Sequence, residues 1–156
     1  SDLPLIENTM KILKDLGINY EVRVASAHRT PDEVARYVVD AENRGCQVFI
    51  GAAGLAAHLA GAVAARTTRP VIGIPCDGGP LNGVDALYST VQMPGGIPVA
   101  TVAVGKAGAK NAAYLAAQIM ALSDPELDLR VKEDRRKASE AVMVKDAALQ
   151  EKLAKL

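Results

Sequence analysis

The chain has 156 residues, 49% of them hydrophobic and 23% charged, which is enough for one substantial core and short for two domains. Its 18 Lys and Arg balance 18 Asp and Glu, so the summed charge offers no basic field for nucleic acid and no polybasic attraction to an anionic membrane. No apolar run approaches the about 20 residues that span a bilayer, and the first residues lack the basic-then-apolar pattern of a signal peptide; a small-molecule ligand and a cytoplasmic location are the expectation.

Ser1 and Asp2 stand where they can cap a helix whose apolar residues Leu5, Ile6, Met10, Leu13 and Leu16 recur at helical spacing until Gly17 stops it. Residues 19–24 alternate like a strand. Thr30-Pro31-Asp32-Glu33 then offers an N-cap, a proline at the first helical position and a capping-box glutamate, and predicts a helix to about Arg44. Residues 47–50 read as a buried strand, and 55–66 as an alanine-rich helix carrying His58 about one turn inside it. Residues 70–74 form another strand, after which Pro75, Gly78, Gly79, Pro80, Asn82 and Gly83 make a turn-rich loop. A short helix over 84–91, a strand over 97–104 and an alanine-rich helix over 109–122 follow. Residues 124–156 are charged and predict a helical extension, solvated or bridging subunits. Cys46 and Cys76 have no second cysteine or histidine at metal-ligand spacing, so neither a zinc site nor a disulfide framework is indicated, and both read as buried free thiols.

Alternating β and α signals predict a single α/β domain with a doubly wound parallel sheet between helices, and ligands beyond the carboxyl ends of the strands. The candidate loops are 25–30, 51–58 and 75–83, with 92–96 leading into the next strand. Such a fold normally opens on a central strand, whereas this sequence opens on the helix that follows one. The expectation is that the first strand is missing from this chain and that the native polypeptide extends further at its N-terminus.

The loop Ser26-Ala27-His28-Arg29-Thr30-Pro31 passes from a strand end into a helix N-terminus. Terminal amides and the helix dipole favour an anion there, and Arg29 can offer a planar fork to phosphate oxygens. His28 is the best acid/base candidate, because an imidazole ordinarily exchanges protons near neutrality. The same residues would also serve a structural turn, with His28 bonding the loop and Arg29 pairing with Asp32 or Glu33. In Gly51-Ala52-Ala53-Gly54-Leu55-Ala56-Ala57-His58, small side chains would let a planar ligand touch backbone, and the amides of Ala53 and Gly54 could hold a carboxylate or CO2; a simple packing turn accounts for them as well. His58 reads as a structural histidine more readily than as a catalyst. Neither glycine cluster matches a P-loop or a dinucleotide fingerprint, so nothing argues for ATP or NAD.

The motifs Ser26-Ala27-His28-Arg29-Thr30-Pro31, Ala56-Ala57-His58-Leu59, the run Ser89-Thr90-Val91-Gln92-Met93-Pro94-Gly95-Gly96-Ile97-Pro98-Val99-Ala100-Thr101, and Lys110-Asn111-Ala112-Ala113 together resemble the PurE family, in the same order and at similar separations. The resemblance implies a three-layer flavodoxin-like fold, a homo-octamer with sites at subunit junctions, and no metal or organic cofactor. It also implies a purine-biosynthetic reaction on aminoimidazole ribonucleotide. Arg29 and the Ala-Ala-His-Leu run resemble the mutase class, which converts N-carboxyaminoimidazole ribonucleotide to its C-carboxylated isomer, more than the class that carboxylates aminoimidazole ribonucleotide directly with CO2. In the family a Ser-x-Ser-Asp loop and the Ser-Ala-His-Arg loop hold the nucleotide. Ser1 and Asp2 match the last two positions of the first; Asp2 would take ribose hydroxyls, while Ser1 and Arg29 would take phosphate. The family's Gly-Ala-Gly-Gly-Ala-Ala-His-Leu-Pro-Gly run is altered here at Ala52, Leu55 and Ala60. Direct carboxylation and a non-catalytic nucleotide-binding subunit stand as the alternative readings.

Overall fold

In the computed structural model, residues 2–155 are described. The elements in chain order are α1 (Leu3–Asp15), α2 (Pro31–Asn43), β1 (Phe49–Ala53), α3 (Leu59–Ala64), β2 (Val71–Pro75), α4 (Val84–Val91), β3 (Ala100–Thr101), α5 (Lys106–Ala121) and α6 (Pro125–Leu153). Every residue of β2 is buried, as the continuous apolar run of a strand covered on both faces requires. It lies at the centre of a parallel sheet of order β1-β2-β3, in register Gly51↔Gly73 with β1 and Gly73↔Thr101 with β3.

Side-chain alternation along β2 divides the core between two helical layers. Ile72 and Ile74, both 0% exposed, meet Ala109, Ala112 and Ala116 of α5, with Leu5 and Ile6 of α1 packed beside them. The Thr9 hydroxyl in α1 donates to the Ala109 carbonyl at 2.7 Å and fixes the two helices together. On the other face Phe49 and Val71 pack with Val34, Val38 and Ala41 of α2 and with Ala60, Val63 and Ala64 of α3. Glycines allow the closest approaches. A Cβ on Gly51 would stand 3.0 Å from the Ala60 Cα, and one on Gly73 would collide with the Thr90 side chain of α4. The result is the expected three-layer α/β arrangement around a parallel sheet.

Four local expectations are corrected. Residues 19–24 run without a strand ladder among the described residues. Tyr20, Val22 and Val24 are exposed, and the segment is held by its flanks: Ile18 is buried, and Arg44 grips Glu21 through two hydrogen bonds of 2.7 and 3.1 Å. The strand expected over 97–104 is reduced to Ala100–Thr101, because Pro98 has no N–H to donate and the chain then leaves the ladder, keeping only Val102 N–H to Gly73 O at 3.0 Å and Gly105 N–H to Pro75 O at 2.9 Å. Thr30 sits at the N-cap of α2 but makes no capping bond; its hydroxyl turns back to the Ser26 carbonyl, and Glu33 pairs with Arg36. Asp2 likewise occupies the N-cap of α1 through its backbone, its carbonyl accepting from Leu5 and Ile6, with no side-chain cap bond. Ser1 lies outside the described residues.

The charged segment forms one helix of 29 residues. Its start is capped by Asp124, which accepts from the Leu127 amide at 3.0 Å. Leu127 and Val131 anchor it on α1 and α5, and the Tyr114 hydroxyl donates to Asp134 at 2.8 Å. Beyond Ala138 every described side chain is exposed, including Val142, Met143, Val144, Leu149 and Leu153.

Candidate active site

The loop before α2 is tied by a reciprocal Ser–Thr clasp. The Ser26 amide donates to the Thr30 hydroxyl at 3.0 Å, that hydroxyl donates to the Ser26 carbonyl at 3.0 Å, and the Arg29 amide donates to the Ser26 hydroxyl at 3.1 Å. Bonding the Ser26 carbonyl and the Ser26 and Thr30 hydroxyls locally makes a tight turn that carries Ala27, His28 and Arg29. His28 and Arg29 are exposed. Among the described residues Arg29 forms no ion pair with Asp32 or Glu33, and Glu33 pairs with Arg36 instead. The alternative in which Arg29 is neutralised by Glu33 is therefore not the arrangement observed.

The 51–58 loop places the second histidine against the first. Helix α3 begins at Leu59, so His58 is its N-cap and not a residue one turn inside, as the sequence suggested. The cause is local: Leu55 takes a left-handed backbone with φ 58°, and the Ala57 amide closes onto the Leu55 carbonyl at 2.8 Å, which delays the helix. The imidazoles of His28 and His58 stack with ring centroids 5.9 Å apart and planes inclined by 20°. Both histidines of the chain thus meet at the carboxyl edge of the sheet, exposed, where a planar ligand could lie against them. A Cβ on Gly61, one turn into α3, would stand 3.7 Å from His58 Cε1 and 3.2 Å from Met93 Sδ, which brings the 92–96 segment to the same place.

Around the end of β1 the third loop arrives. The Cys76 amide donates to Ala53 O at 2.9 Å, and a Cβ on Gly54 would lie 3.5 Å from the Cys76 Cβ. Burial pushes the Cys76 thiol up to about 12, and the nearby carboxylates of Asp2 and Asp77 push it the same way. The sulfur therefore stays protonated and is no nucleophile at neutral pH. The charge of Asp2, from the start of the chain, is thus felt at Cys76 in its middle. Sequence reasoning missed three partners here: Met93, Asp77 and the facing role of His58. Part of the signal for the last was present, since the two histidines stand in the loops that lead into α2 and α3, although the segment before His28 joins no ladder.

Two surface grooves lie elsewhere. One runs between α5 and α6, lined among others by Asn111, Tyr114, Gln118 and Asp134, and the other borders Ser123–Glu126. The histidine site is instead an open edge. Among the described residues no helix is long and apolar enough to cross a membrane.

Comparison with known proteins adds an independent finding. Residues 1–141 match the family model described as AIR carboxylase. The chain is 48% identical over 151 residues to the N5-carboxyaminoimidazole ribonucleotide mutase of Thermotoga maritima, covering 97% of this chain and 87% of that protein. It is 49% identical over 151 residues to the Methanocaldococcus jannaschii protein of the same name, covering 97% and 92%. The crystal structure of Treponema denticola PurE superposes with a TM-score of 0.84 at 31% identity, over 95% of this chain and 91% of that one.

Proposed function

The chain belongs to the AIR carboxylase (PurE) family, and from that membership we propose that it acts in purine biosynthesis as a mutase, moving the carboxyl group of N5-carboxyaminoimidazole ribonucleotide from the exocyclic nitrogen to the ring carbon. The observation that carries this reading is the stacked His28–His58 pair, exposed at the carboxyl edge of the sheet inside the two motifs that matched the family.

The carbamate C–N bond breaks, CO2 leaves, and the nitrogen takes a proton from His28. The electron-rich ring carbon then attacks CO2 to form a C–C bond, and its hydrogen passes as a proton to His28, which ends as it began. One imidazole serves both half-reactions because each needs the opposite transfer. Held together, the fragments recombine as an effectively intramolecular pair. Arg29 and the amides at the start of α2, which no side chain caps, suit the nucleotide phosphate, with Ser26 and Ala27 shaping that turn and Ser1 joining Arg29 from the first loop. Asp2 accepts from ribose hydroxyls. The Gly54 amide, just beyond Ala53 and with Leu55 behind it, holds the carboxylate or CO2, and His58 supports the flat face of the ring; the Ala53 amide, expected from the sequence to share this task, is taken by the ladder with β2.

An open edge needs a wall, and the assembly supplies one in this reading: a homo-octamer with sites at subunit junctions. The exposed Val142, Met143, Val144, Leu149 and Leu153 of α6 support the idea of a subunit contact. Sedimentation of the protein truncated after Ala138 tests it, with smaller particles expected than for the full chain.

The deciding experiment supplies purified protein with N5-carboxyaminoimidazole ribonucleotide, without ATP or bicarbonate, and follows the C-carboxylated isomer by absorbance. Conversion is expected. Turnover of aminoimidazole ribonucleotide only when bicarbonate is added would replace the mutase reading with direct carboxylation, and no turnover in either assay would leave a binding subunit.

A further inference from the structure

Among the described residues two that are not glycine have a left-handed backbone, Leu55 at φ 58° and Asn82 at φ 51°. In that region Cβ crowds the neighbouring carbonyl, so a leucine persists there only where its surroundings dictate it. The contact that Leu55 makes is with the loop that holds Asn82. A Cβ built on Gly79 would stand 2.5 Å from Leu55 Cδ2, so Gly79, itself at φ 85°, is the residue that lets this side chain settle on the loop. Burial does not account for the arrangement, because Leu55 is 54% exposed.

The base and tip of the 77–83 loop are held differently. At the base, a Cβ on Gly83 would lie 2.6 Å from Val104 Cγ1 and 3.0 Å from the Asp77 Cα, and one on Gly105 would lie 2.8 Å from Asp77 Oδ2. That end is wedged between β2 and the start of α5. Residues 78–82 are all exposed. Leu55 reaches this tip from the segment that leads to His58, the N-cap of α3, and the base of the loop adjoins Gly54 through Cys76.

We propose that Leu55 is a positioning residue: it clasps the tip of the 77–83 loop through Gly79 and holds that loop against the His28–His58 edge, so that CO2 stays beside the ring carbon between release and recapture. The proposal rests on the mutase reading. Without the clasp the C–N bond still breaks and the nitrogen still takes its proton, but CO2 diffuses away before the C–C bond forms, and free aminoimidazole ribonucleotide accumulates. A residue that served only the fold would change total activity and leave the ratio of the two products alone.

The test uses the full chain with Leu55→Gly, which relaxes the left-handed backbone while removing the clasp, and Leu55→Met, which keeps an apolar side chain of similar reach. Amide hydrogen exchange at Asn82 and Val84, whose amides donate to Gly79 O and Leu81 O, should quicken at least about tenfold in Leu55→Gly with an unchanged melting temperature. On N5-carboxyaminoimidazole ribonucleotide, its ratio of C-carboxylated product to free aminoimidazole ribonucleotide should fall at least about fivefold, and Leu55→Met should restore most of it. Unchanged exchange overturns the clasp; faster exchange with an unchanged product ratio overturns its part in retaining CO2. A wild-type protein that makes neither product would instead overturn the mutase reading, and the exchange measurement would still decide the clasp.

Discussion

The sheet has two unlike neighbours. Beneath it, α5 presents Ala109, Ala112, Ala113, Ala116 and Ala117, none more than 3% exposed, and packs so closely that its stability is set by the absence of atoms. At its carboxyl edge the loops leave His28, Arg29, Leu55 and His58 in solvent, tied by turn hydrogen bonds and one ring stack. The first region spends its residues on density and carries no chemistry. The second, to which the proposed reaction is assigned, contributes little to the core, which is the usual division between a rigid scaffold and the loops it positions. Changes below the sheet should therefore move stability and spare the reaction, and changes at the edge should do the reverse.

The sharpest test of that separation is His28→Asn. Loss of the proposed proton-transfer group should lower turnover about 10²–10⁴-fold, with nucleotide binding and melting temperature unchanged, because His28 is exposed and no core group depends on it. Near-normal turnover would break the comparison at its functional end. The matching test below the sheet is Gly108→Ala. In an open helix this change favours folding by about 1 kcal/mol, but here the new Cβ would drive into the Ala103 carbonyl, so about 1–3 kcal/mol or more should be lost in denaturant melts. A neutral or stabilising result would mean that the layer yields more readily than its density suggests.

A smaller effect is expected at the bond between the two helices of that layer. Thr9→Val keeps the shape and removes the donor to the Ala109 carbonyl, which should cost about 1 kcal/mol of stability without altering turnover. The weakest prediction concerns the unladdered segment 19–24. Hydrogen bonds from Arg44 and then Tyr37 hold the Glu21 carboxyl down from the ordinary 4.5 to about 2. A depressed acid stabilises the fold above its unfolded pKa and loses that contribution as pH falls toward the folded one. The wild type should thus lose a small increment of stability between about pH 4.5 and 2 that is smaller in Arg44→Met, where Tyr37 remains, in acid titrations followed by circular dichroism. Since this carboxylate is exposed, added salt should shrink the difference.

Local patterns determined much of this molecule on their own. The period of Leu5, Leu13 and Leu16, the proline after Thr30 and the alanine run from 109 place helices within a few residues of those observed, because helical bonds close between neighbours in sequence. The buried strand at 71–75 is also visible in its apolar run, and the charged composition after Asp124 marks α6. Strand existence behaved otherwise. Residues 19–24 and 97–104 have strand-like composition, yet a strand exists only where a distant partner accepts its hydrogen bonds, and one segment lacks a ladder while the other keeps Ala100 and Thr101 alone.

The site divides along the same line. Ser26, His28 and Arg29 stand together in one loop and could be read as a unit from their types alone. That His58 stacks on His28, that the charge of Asp2 is felt at Cys76, and that Leu55 settles on Gly79 depend on the approach of segments far apart in the chain. Sequence named those residues. Only the packing of α2 and α3 together on one face of the sheet, and a left-handed turn at Leu55, by stopping the helix short of His58, decided that they meet.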